Sequence, residues 1–140
     1  MDINTLLPPM IGSFFGAIIA FALNYGYQYI KAKKDKKKYI TILKSEIDSC
    51  INTLWRDRVQ LLPTEKWISL ANSGALKFFD VNIELEPLSV NYQVIQCYNT
   101  MINTLDLIGR DWDFIDDEIK EEAIRLDNKL KKLRDSELFK

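Results

Sequence analysis

The sequence predicts an all-α protein: an N-terminal transmembrane helix continuing into a long stalk helix, packed with a short helix and a C-terminal helical hairpin. Three observations lead there. Residues 3–30 form a run of twenty-eight without a charged side chain, long enough to span a bilayer. No proline or glycine falls between Tyr27 and Leu62, so nothing local interrupts a helix. From Leu88 onward apolar residues recur every three or four positions, without the sustained alternation of strands.

Residues 1–9 read as a short extracytoplasmic N-terminus and residues 10–30 as the membrane helix. Pro8 and Pro9 suit the first helical turn, where a missing N–H costs nothing. At about 1.5 Å per residue, 10–30 spans roughly 30 Å, the thickness of a hydrocarbon core. Tyr25, Tyr27 and Tyr29 suit the interface at its end. Ala20-Phe21-Ala22 resembles a signal-peptide cleavage pattern, but no lysine or arginine precedes the apolar run.

Residues 31–38 are a polybasic juxtamembrane segment. Lys31, Lys33, Lys34, Lys36, Lys37 and Lys38 fix the topology by the positive-inside rule and suit anionic lipid headgroups. The N-terminus is then outside, and residues 39–140 form a cytoplasmic domain at the cell (inner) membrane. Cys50 and Cys97 are read as buried thiols in a reducing compartment.

In that domain Ile40, Leu43, Ile47, Cys50, Ile51, Leu54 and Leu61 extend the stalk to about Gln60. Thr64 is the expected N-cap of the short helix, with Trp67, Ile68 and Ala71 facing inward and Gly74 at the left-handed stop. Pro87 opens the hairpin. Leu88, Tyr92, Ile95, Ile102, Leu105 and Ile108 form its first apolar face, closed by Gly109. Trp112, Ile115, Ile119, Ala123, Leu126, Leu130 and Leu133 follow at heptad spacing, suited to a bundle core or to an intermolecular coiled coil.

Composition narrows the chemistry. The net charge of −1 conceals a +5 collar at 31–38 and a net −5 over 39–140. With no histidine, Ser-His and Cys-His nucleophiles, histidine-containing zinc sites and HExxH chemistry are excluded, and no enzyme is expected. Residues 80–118 carry nine carboxylates against Arg110 alone. Within them, Asp111 to Glu122 has the length of a calcium loop, but Ile115 and Asp116 occupy positions that need a ligand and a glycine. No metal or cofactor is therefore expected. Asp116, Asp117 and Glu118 instead suit a helix start, and Lys129, Lys131, Lys132 and Arg134 a helix end.

Candidate binding features are few. Gly12, Gly16 and Ala20 recur every fourth residue with Asn24 continuing the row, a pattern that brings membrane helices close. Arg56, Arg58 and Lys66, where the stalk meets the short helix, are a candidate anion site. Trp55, Trp67 and Trp112 are expected to anchor the bundle core, as Gly74 anchors its turn. No RNA-binding aromatic motif accompanies the lysines, so no nucleic-acid partner is expected.

The stretch from Leu62 to Leu76, LPTEKWISLANSGAL, resembles small prokaryotic single-pass membrane proteins with a Thr-x-x-Trp helix and a Ser-Gly turn after a charged stalk. That resemblance implies a layout and no activity. In outline the architecture is also similar to membrane effectors of prokaryotic antiviral defence, which implies a cytosolic domain that oligomerises or senses a partner or nucleotide signal. The expected function is a self-associating membrane protein whose cytosolic bundle is an interaction or scaffold module. The alternative is a signal-gated, pore-forming or membrane-disrupting effector.

Overall fold

The computed structural model describes the backbone of residues 3–140 and the side chains of residues 13–140. Four α-helices account for most of it: α1 (Ile3–Leu54), α2 (Glu65–Asn72), α3 (Glu86–Thr104) and α4 (Asp117–Arg134). Among the described residues there is no strand, only an isolated antiparallel bridge between Arg58 and Asp111. The fold class is all-α, as the periodicity predicts. The chain divides into two compact units, Met1–Asp35 and Lys36–Lys140.

In the first unit α1 begins at Ile3, so Pro8 and Pro9 fall inside it rather than before it. Residues 1 and 2 of the expected N-terminal segment lie outside the described residues. Among the described residues no helix is long and apolar enough to cross a membrane; residues 10–12 of the expected span contribute no described side chain.

The second unit is a small bundle around one core. Leu43, Ile47, Cys50 and Leu54 of α1 enter it with Leu88, Tyr92, Ile95 and Ile102 of α3. The heptad row of α4 completes it, from Ile119 to Leu133, so that spacing serves the chain's own core. Trp112 is half-buried against this core on a single tight turn, and α4 begins only at Asp117. Asp116 takes the N-cap position without a side-chain bond, while Asp117 and Glu118 complement the dipole in the first turn.

Three boundaries differ from expectation. Helix α1 stops at Leu54 rather than near Gln60, because the following segment is held extended. Val59 N donates to Arg110 O and Gly109 N to Val59 O, both at 2.9 Å. Further along, Asn99 of α3 clamps both the N–H and the carbonyl of Leu62 at 2.8 Å. Helix α3 ends at Thr104, not at Gly109. Asp106 adopts φ 51°, and Leu107 N reaches back to Ile102 O at 3.0 Å, closing a Schellman turn. Leu107 is therefore buried, while Leu105 and Ile108 are exposed. In α2, Leu70 is the buried residue and Trp67 half-buried; Ile68 and Ala71 face outward. A short π-helical turn, Val81–Leu85, precedes α3. The Asp80 carboxylate accepts from the N–H groups of Asn82 and Ile83, and Glu84 accepts from Asp80 N.

Candidate functional site

The first unit presents large apolar side chains over roughly 200° of its helix circumference, with Gly16, Ala17, Ala20 and Asn24 on the remaining face. Phe14, Phe15, Ile18, Ile19, Phe21 and Leu23 are all exposed, Phe21 to 74%. An apolar surface that wide needs an apolar environment from a core or a membrane. Within it, Gly16 and Ala20 are exposed, and a Cβ built on Gly16 would meet nothing within 4 Å. The chain's own packing does not require the small residue. The Gly12 packing position lies outside the described side chains. Asn24 is exposed and accepts from Gln28 Nε2 at 3.4 Å along the same helix, so its amide is turned toward a neighbour one turn away.

Five of the six collar lysines are exposed. Lys36 is the exception: its ammonium pairs with Glu84 at 2.5 Å and belongs to the second unit.

Inside the bundle the polar centre is Glu46, a residue absent from the sequence-level candidates. It is buried, yet its carboxylate accepts from Lys66 N at 2.7 Å, Trp67 N at 3.0 Å and the Tyr92 hydroxyl at 2.6 Å. The start of α2 is thus capped by a side chain of α1, and Thr64 makes no side-chain cap. Trp67 stacks on Tyr92 with centroids 4.6 Å apart and rings 7° from parallel. Burial, then the bond to Glu46, pushes the Tyr92 phenol well above its ordinary range. The neighbouring Cys50 thiol is pushed up to about 12, mainly by burial and further by the charges of Glu46 and Glu65. Cys97, also expected to be buried, is exposed. The signal for Glu46 was its place three residues after Leu43, on the buried stripe.

The tryptophans separate. Trp67 packs as an anchor and Trp112 partly so, but Trp55 is 53% exposed and does not anchor the core. It stands one residue past the end of α1, where the chain turns outward, and with Trp112, Arg56 and Lys120 it lines a cleft of about 270 Å3. Gly74 has φ 71°, the left-handed conformation after α2 that disfavours a side chain.

The basic residues expected to form an anion site go to different partners. Arg56 bonds Gln60, Arg58 pairs with Asp111 at 3.1 Å, and Lys66 Nζ donates to Ser45. Carboxylates of the acidic stretch likewise go to separate cations: Asp106 to Arg110, Asp117 to Lys120. No family model, curated protein or solved structure matches this chain, and the geometry alone must carry its functional reading.

Proposed function

We propose that residues 10–30 form a membrane helix with the N-terminus outside, and that residues 39–140 are a non-enzymatic cytoplasmic interaction or scaffold module at the inner membrane. The protein self-associates through Gly12, Gly16, Ala20 and Asn24. One observation carries this reading: the exposure of six large apolar side chains on a segment that belongs to a charge-free run of twenty-eight. Water is a poor solvent for that surface, whereas lipid covers it without a partner chain. The exposed lysines Lys31, Lys33, Lys34, Lys37 and Lys38 follow at once, and they suit anionic headgroups. The bond between Asn24 and Gln28 lowers the cost of carrying two amides into an apolar medium.

Self-association is supported by the small residue at an exposed Gly16 that no intrachain contact demands. The full chain reconstituted with lipid vesicles is expected to float with them in high salt. In mild detergent the wild type should run as an oligomer, and the Gly12→Ile, Gly16→Ile double variant as a monomer by light scattering. An unchanged mass for the variant would remove that interface.

The Asn24–Gln28 pair also favours a second reading, a signal-gated effector in which polar faces of several helices line a pore. Cells expressing the wild type should then leak a small dye, and Asn24→Leu should suppress the leak. Equal leakage from both proteins would exclude Asn24 as a pore element.

A further inference from the structure

A groove of about 630 Å3 runs between α3 and the end of α4. Ile83, Val90, Val94, Leu133 and Leu138 make it apolar, and Lys129 and Lys132 stand on the same wall of α4. We propose that this groove binds an anionic lipid of the membrane that the chain spans, an acyl chain lying on the apolar floor and the headgroup at the two lysines. The proposal rests on the membrane-helix reading above.

Charge selects the sign of the occupant. The carboxylates that share the groove are already neutralised, Glu84 by Lys36 and Glu137 by Lys140, each at 2.5 Å. Among the described residues Lys129 and Lys132 have no ion-pair partner, so the groove keeps two uncompensated positive charges. The other charges at this end of the bundle are largely paired with one another. Lys44 reaches Phe139 O at 3.2 Å; in the last turn of α4 Lys131 is paired with Asp127 at 2.6 Å and Arg134 with Asp135 at 2.9 Å, which leaves Lys132 as the unpaired cation there among the described residues. The acidic run from Asp111 to Glu118 lies at the other end, where Arg58 bridges Asp111.

Tethering selects the source. Five residues separate Ile30, where the charge-free run ends, from Lys36, so these two cannot be more than about 22 Å apart in any arrangement. Lys36 is bonded to Glu84, a residue of the groove wall. The groove wall is thus bonded to the first residue of the second unit. Beside it Val81 and Ile83 project from the π-helical turn, 66% and 75% exposed. Two such neighbours are costly in water and at home among acyl chains.

The test uses the full chain carrying Ile83→Cys and Cys97→Ser, labelled with an environment-sensitive fluorophore; Cys50 is buried and does not compete. The labelled protein is reconstituted in phosphatidylcholine vesicles with and without phosphatidylglycerol. Phosphatidylglycerol is expected to shift emission to the blue and shield the label from acrylamide. Lys129→Gln with Lys132→Gln should weaken that phosphatidylglycerol dependence roughly thirtyfold, two lysines at the usual strength of a lysine near an anionic surface. If the protein floats with the vesicles but the label stays equally quenched in both, the groove proposal fails and the membrane reading stands. If the protein does not float, both fail. Shielding that follows protein-to-lipid ratio instead of phosphatidylglycerol would mean that a second copy covers the face, which also overturns the lipid.

Discussion

Replacing Glu46 by alanine is expected to destabilise the bundle by on the order of 3–5 kcal/mol, because three donors lose their acceptor at once. Two are the N–H groups of Lys66 and Trp67 at the start of α2, and the third is the Tyr92 hydroxyl, buried beneath the Trp67 ring. A buried donor without a partner costs about 1–3 kcal/mol. The bonds to Lys66 N and Trp67 N are only partly buried, which places the total below the sum of three full penalties. Glu46→Gln keeps one accepting oxygen and should cost about half as much. Denaturant unfolding of the full chain in detergent, followed by tryptophan fluorescence, measures both. Equal midpoints for wild type and Glu46→Ala would show that α2 is held by packing alone.

Alkaline pH is expected to unfold the same bundle. The Cys50 thiol is raised from 9.0 to about 12 and the Tyr98 phenol from 10.0 to about 12, the latter by burial alone. Tyr92 is raised further still by burial and its bond to Glu46. Each group is harder to deprotonate in the folded chain than in the unfolded one. Their contribution is therefore complete below the unfolded pKa and is lost as pH rises through the folded value. Above pH 9 for the thiol and 10 for the phenols, stability should fall by about 1.4 kcal/mol per pH unit for each group. By pH 12 the combined loss rivals the whole stability of a typical domain. Denaturation midpoints measured from pH 8 upward should decline with a steepening slope. Cys50→Val should remove the part that begins near pH 9; a flat profile to pH 11 would contradict the burial of these groups.

Much of the helical framework was legible in the order of residues. The α4 stripe from Ile119 to Leu133 is buried as its spacing predicts, since one face of a regular helix repeats every three or four residues whatever it packs against. Gly74 was legible too, because only a glycine takes a left-handed turn without cost. The errors fall where distant segments compete with local preference. Gly109 seemed the natural end of α3, yet Asp106 ends it earlier so that Leu107 can enter the core. Trp55 looked like an anchor from its size alone, but it stands beyond the last buried turn of α1.

The candidate site divides in the same way. Charge-free length, the lysine collar and the row of small residues are properties of neighbours in the chain, so the sequence determined the case for a membrane helix without coordinates. The Glu46 cap, the Asn99 clamp and the groove beneath Lys129 and Lys132 join residues far apart in the chain. Nothing local marks such pairs, because a carboxylate or a lysine reads alike whether it meets water or a distant helix. Only the tertiary structure decided which polar groups were taken out of water and which were left to meet a partner.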